Sequence, residues 1–196
     1  GLDMKHQVID VGCVTGFVSQ LHPNFSITGI DIYDGMLARN PHKWVKAPVE
    51  AMPFPNAHFD WVVCRSLLHH LENPAVGLAE MYRVLKPGGR FVCWEVNYSV
   101  LNDLVRRAAK LTRRFSHLHR NFKSDELIDL IRQSGLLLER VTYHGYVAYV
   151  LGGFPDILNL HIPVGVMRGL MAVDDWFSTT FFKRLGWSVL MTARKP

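Results

Sequence analysis

The stretch that most limits what this chain can fold into is Val8-Ile9-Asp10-Val11-Gly12-Cys13-Val14-Thr15-Gly16. Its first four residues have the apolar and acidic pattern of a buried strand. Gly12 and Gly16 then turn the chain, and residues 17–21 read as the first turns of a helix. Glycine lets backbone approach a ligand closely, and a helix N-terminus favours negative charge. Roughly 20 residues further on, residues 27–31 form a second strand that ends in Asp31. A carboxylate there can accept both hydroxyls of a ribose. Strand, glycine turn, helix, strand and acid together open a nucleotide-binding α/β unit. The plainer alternative is a packing turn with a solvated acid.

The rest of the chain continues the alternation. Strands are predicted at 25–31, 44–48, 59–64, 90–96, 136–143 and 186–193. Asp34 caps a short helix over 35–39. Asn73 and Pro74 start another as capping residue and first-turn proline. Its residues Ala75, Leu78, Ala79, Tyr82 and Leu85 recur at helical spacing. Lys86-Pro87-Gly88-Gly89 breaks it. Ser124 caps a further helix that Gly135 ends. This order predicts a parallel sheet with helices on both faces.

The 196 residues suit one domain, 1–196. Hydrophobic residues make up 48%, enough for a full core, and the 20% that are charged argue against disorder. The net charge is +5, and it is local. Arg106, Arg107, Lys110, Arg113, Arg114, Arg120 and Lys123 face only Asp103 within residues 103–123. Residues 98–123 therefore read as a basic helical insertion. A solvated outer face is one reading of it, and contact with an anionic membrane surface or an acidic substrate is another. Nucleic acid is disfavoured, because the charge is confined and no recognition motif accompanies it. Residues 145–185 read as an apolar, lid-like insertion before the last strand: an acceptor pocket, a membrane-contacting lid, ordinary core or a dimer interface. His161, Pro163 and Arg168 interrupt it, so it is not a membrane span. Cys13, Cys64 and Cys93 sit in strand-like surroundings without metal-ligand spacing. They read as buried thiols in a reducing, cytoplasmic compartment, with no metal site. Only seven residues precede the first strand, so an N-terminal helical cap is expected beyond the sequence.

Four stretches resemble class I S-adenosylmethionine-dependent methyltransferases: residues 10–16, residues 29–31, residues 52–60, and Leu68-His69-His70-Leu71 with the turn at residues 84–89. The resemblance implies a doubly wound, seven-stranded Rossmann-like α/β sheet of order 3-2-1-4-5-7-6, strand 7 antiparallel, with helices on both faces. It implies S-adenosylmethionine as cofactor, seated at the carboxyl ends of strands 1, 2 and 4. Asp10, Gly12, Cys13, Val14 and Gly16 would hold its methionine part. Asp31 would bind the ribose, Ile32 would cover an adenine face, and Val49 and Glu50 would line the adenine edge. Arg65 would contact it through backbone. Two positions depart from the pattern: Val14 stands where the family has glycine, and Pro48 where it often has an acid. A β-branched residue resists positive φ, and proline offers neither charge nor N–H.

Methyl transfer from a sulfonium is an in-line displacement, so the protein mainly aligns the reactants and excludes water. A hydroxyl nucleophile also benefits from a base, and histidine is the natural one. Related small-molecule O-methyltransferases use a histidine after strand 4. His69 is the expected base, with Glu95 orienting it; the alternative is that the histidines only pack. The expected activity is methylation of a small or lipid-like acceptor, at oxygen. A binding or scaffold domain with a degenerate cofactor site is the competing reading.

Overall fold

A computed structural model describes residues 5–22, 24–40, 43–99, 122–148 and 162–196. Seven strands form one sheet: β1 (Gln7–Val11), β2 (Ser26–Asp31), β3 (Trp44–Lys46), β4 (Phe59–Arg65), β5 (Leu85–Val96), β6 (Leu137–His144) and β7 (Ser188–Arg194). Their spatial order is β3-β2-β1-β4-β5-β7-β6, with β7 antiparallel. This is the order the resemblance implies. The helices are α1 (Phe17–Leu21), α2 (Asp34–Leu37), α3 (Pro74–Val84), α4 (Ser124–Gln133) and α5 (Val164–Thr179).

Apolar runs without alternation explain why β1 and β2 lie at the centre. Every residue of β1 after Gln7, and of β2 after Ser26, is buried. β1 pairs in parallel with β2 on one side and β4 on the other. The register sets Val11 level with Ile30 and with Cys64. Gly12, Asp31 and Arg65 therefore leave the sheet at one edge, where the strand order reverses. That crevice is where open α/β sheets bind ligands.

Several local details differ from the sequence reading. β3 ends at Lys46 and not at residue 48. Pro48 has no N–H for a ladder and instead precedes a 3-10 turn at Val49–Ala51. β5 starts at Leu85 and not at Arg90: the residues expected to break α3 do follow its end, but they belong to the strand, with Gly88 N–H donating to the Lys195 carbonyl and Lys195 N–H to the Gly89 carbonyl. Asn73 occupies the N-cap of α3, but its side chain makes no cap bond. Its carbonyl accepts from Val76 and Gly77 instead.

The chain divides into two compact units. One comprises Gly1–Glu95, Asp125–Arg140 and Met191–Pro196; the other Val96–Ser124 and Val141–Leu190. In the first, Ile9, Ile30, Val62, Leu78, Met81, Phe91 and Ile131 are fully buried. In the second, Trp187, Val189 and Tyr143 are buried, and Asn97 donates to the carbonyls of Arg184 and Gly186. The basic segment expected at 98–123 lies almost entirely outside the described residues, as do residues 149–161 of the lid-like insertion. The described remainder of that insertion holds α5 and a 3-10 turn at Phe181–Leu185.

Candidate active site

A cleft of about 420 Å³ opens at the carboxyl edge of β1, β2 and β4, entirely within the first unit. Its size suits a small molecule, for which sites run about 300–1,000 Å³. Six of the residues assigned to the cofactor from sequence line it: Gly12, Val14, Asp31, Ile32, Val49 and Glu50.

The floor is the turn after β1. Gly12 has φ +74°, and a Cβ there would meet Leu67 Cδ1 at 2.9 Å. Gly16 has φ +79°, and a Cβ there would collide with the Asn40 side chain. Both positions therefore require glycine for conformation and for space. Val14 adopts φ +48° despite its branched side chain. The loop thus keeps the left-handed residue that the family's glycine would supply, at a cost of roughly 1–2 kcal/mol. Val14 N–H donates to Asp31 Oδ2 at 3.0 Å.

Asp31 accepts from two further backbone groups, Ile32 N–H at 2.7 Å and Tyr33 N–H at 3.1 Å. A carboxylate offers about four lone-pair sites. Three are taken, which leaves about one for a sugar hydroxyl. Accepting both hydroxyls requires the Val14 bond to yield. Asp10 lies beneath the floor, 2% exposed. Burial pushes its carboxyl up to about 7; Arg65 pulls it down and Asp31 adds a smaller push upward. Burial likewise pushes the Cys13 thiol up to about 12, with Asp10 and Asp31 adding to it. Cys13 packs under Gly29 and receives a hydrogen bond from Asn40.

The wall after β4 is organised by Glu95. This carboxylate is fully buried on β5. Oε1 accepts from Leu67 N–H at 2.6 Å and Leu68 N–H at 2.7 Å, and Oε2 meets His69 Nδ1 at 2.7 Å. Three donors offset the cost of burying the acid. They also bend the chain so that Ser66, at φ +49°, and Leu67 face the cleft. Cys64, Cys93 and Glu95 lie within 4.8 Å of one another and are all buried. The Cys64 thiol is raised well above its ordinary value, by its hydrogen bond to Cys93 first and burial second.

The pairing of His69 with Glu95 is therefore present in the geometry, but His70 is the histidine that lines the cleft. The two rings lie 4.1 Å apart. Arg65 lies outside the lining, its guanidinium 4.4 Å over the Phe17 ring. The sequence reading missed Tyr33, Ser66, Leu67, Leu71 and Glu72, which complete the cleft. Tyr33 follows the strand-end acid by two positions, and the others follow β4 directly. Proximity to those strand ends was the available signal.

The sheet order and the position of the cleft at its reversal define the class I methyltransferase fold. Residues 9–93 match the methyltransferase domain family. Over those residues the chain is similar to class I S-adenosylmethionine-dependent methyltransferases. It is 37% identical to the ubiquinone/menaquinone biosynthesis C-methyltransferase UbiE of Geobacter sulfurreducens over 105 residues, covering 45% of this chain and 41% of that protein. It is 34% identical to the malonyl-[acyl-carrier protein] O-methyltransferase of Hahella chejuensis over 97 residues, 44% of this chain and 35% of that protein. Among solved structures, an S-adenosylmethionine-dependent methyltransferase from Mesorhizobium loti superposes with a TM-score of 0.64 at 17% identity, covering 99% of this chain and 94% of that one. That likeness shows the fold. The chain spans less than half the length of the curated relatives it matches.

The cleft fits the cofactor of this class in its glycine cradle, its strand-end acid and its volume. Gly12, Val14 and Asp31 would hold the sugar and amino-acid parts, and Ile32, Val49 and Glu50 the base. Pro48 lines the same wall without a donor or charge.

Proposed function

We propose that the chain is a methyltransferase that uses S-adenosylmethionine and acts at oxygen on a small or lipid-like acceptor. The single observation that carries the reading is the cleft at the reversal of strand order, lined by the residues the family motif assigns to the cofactor. The cofactor supplies an electrophilic methyl group on a sulfonium. The protein's part is to orient, to exclude water and to accept a proton. An ionised Glu95 can only accept, so His69 Nδ1 donates to it and Nε2 is the basic atom. This is the arrangement of a histidine base fixed in one tautomer by a buried carboxylate. The relatives support a small-molecule acceptor, one being named a ubiquinone/menaquinone biosynthesis C-methyltransferase and one a malonyl-[acyl-carrier protein] O-methyltransferase. The oxygen assignment rests on the histidine, since a hydroxyl or carboxyl nucleophile gains from a nearby base or cation.

A second reading has its own support. Val14 and the Val14–Asp31 bond narrow the place where the sugar and amino-acid tail would lie. A domain that kept the architecture but lost the cofactor would look like this, and folds of this kind host more than one function. Titration calorimetry with S-adenosylhomocysteine separates the two: micromolar binding supports the enzyme, and no binding supports the scaffold. In the enzyme, His69→Ala lowers turnover of labelled methyl transfer at least about tenfold while cofactor binding holds. Unchanged turnover removes His69 from the base role.

A further inference from the structure

α5 is apolar on more than one side yet buries no residue. It rests on a narrow stripe. Asp174 accepts from Tyr146 N–H at 2.9 Å, Val147 N–H at 2.7 Å and Ala148 N–H at 3.2 Å, and Phe177 stacks on Tyr146 at 5.5 Å. That anchor turns Val166, Met171, Val173 and Trp176 outward. The 3-10 turn that follows adds Phe181, 85% exposed, and Phe182, its ring 4.0 Å from that of Phe181. Lys183 and Arg184 come directly after. A helix apolar on several sides is ordinarily covered by something. At 16 residues α5 is shorter than the ~20 a bilayer span needs, and no described helix is long and apolar enough to cross one.

We infer that the exposed face of α5, with Phe181 and Phe182 at its tip, docks on an anionic lipid surface. Charge argues for this occupant. Among the described residues, the unit that carries α5 holds four lysines and arginines, Lys123, Arg168, Lys183 and Arg184, against two acids, whereas the other unit holds twelve against twelve. The basic excess among the described residues thus shares a unit with the exposed apolar helix. One of those two acids, Asp174, is spent on backbone N–H groups and does not repel the surface. Exposed aromatic side chains beside basic ones enter the headgroup boundary, apolar part inward and charge at the phosphates. The inference concerns a surface remote in sequence from the cofactor motif, and it stands whether or not the chain transfers methyl groups.

The test is flotation of the full chain with phosphatidylcholine vesicles, with and without phosphatidylglycerol. Binding is expected only with the anionic lipid, with a blue shift of tryptophan emission that Trp176→Phe removes, and with release at high salt. Phe181→Ser with Phe182→Ser is expected to weaken binding at least about tenfold. Lys183→Glu weakens it by severalfold. The folds of these exposed variants are checked by their melting curves. Equal binding to both vesicle types, or none to either, overturns the proposal. So does a concentration-dependent dimer in light scattering that Phe181→Ser dissolves, since the face would then belong to a second copy.

Discussion

At residue scale, two side chains in the turn after β1 carry the sharpest expectations. Val14 holds a left-handed conformation that glycine adopts freely. Val14→Gly removes a strain of about 1–2 kcal/mol, offset by about 0.5–1 kcal/mol of extra chain entropy in the unfolded state. Stability should rise by up to about 1.5 kcal/mol, read from the denaturant midpoint. S-adenosylhomocysteine should bind severalfold tighter, because two methyl groups leave the cleft floor. Weaker binding would make the branched side chain part of the binding surface. Asp10 is the second. Its carboxyl is raised from 3.8 to about 7 by burial, against the pull of Arg65. The native state therefore binds more protons than the unfolded chain between those values. Its contribution is full below about pH 4, declines as pH rises toward 7, and is flat above. The slope for one proton reaches about 1.4 kcal/mol per pH unit. Asp10→Asn should lack this decline, so melting curves of the two proteins compared from pH 5 to pH 8 should converge on one side only.

At the scale of elements, α3 holds in place the cleft wall that carries Val49 and Glu50. Arg83 donates to the Phe54 carbonyl at 2.8 Å, the Met52 carbonyl at 2.9 Å and Asn56 Oδ1 at 2.9 Å, while Glu80 pairs with it and accepts from Met52 N–H at 2.9 Å. The loop that follows Val49 and Glu50 is thereby fastened to a helix whose other face fills the core with Leu78 and Met81. Arg83→Ala should cost about 1–2 kcal/mol, the figure lowered by the partial exposure of the pair. It should also weaken S-adenosylhomocysteine binding, since the wall loosens. Arg83→Lys should recover little, because an ammonium cannot span those acceptors as a planar fork does. Denaturant unfolding and calorimetry on the same samples check both effects. This clamp was not legible beforehand. Helical spacing in α3 announced an apolar face and a polar one, but not that the polar face would grip a proline-containing loop some 30 residues earlier in the chain.

At the scale of the molecule, the entire cleft belongs to one of the two units. A ligand that binds only the folded form adds about 2.7 kcal/mol at a hundredfold excess over its Kd. Saturating S-adenosylhomocysteine should therefore raise the melting temperature of that unit by about 5–10 °C. Hydrogen exchange should slow at residues 12–14, 31–33 and 49–50. Protection elsewhere would move the site. What the sequence determined by itself was the architecture and the motif-bearing half of the cleft. Buried strands announce themselves as unbroken apolar runs, and a tight turn under a ligand admits few residues besides glycine, so Gly12, Gly16 and Asp31 were legible at once. What only the tertiary structure decided was which side chains meet across the sheet. Glu95 and His69 are 26 positions apart and touch because β5 pairs with β4. His70 rather than His69 lines the cleft because Glu95 bends the turn that carries both. α5 presents an apolar face outward because Asp174 anchors the opposite stripe. Periodicity is a property of one segment, whereas these contacts depend on the register and packing of several, and that information is not local to any of them.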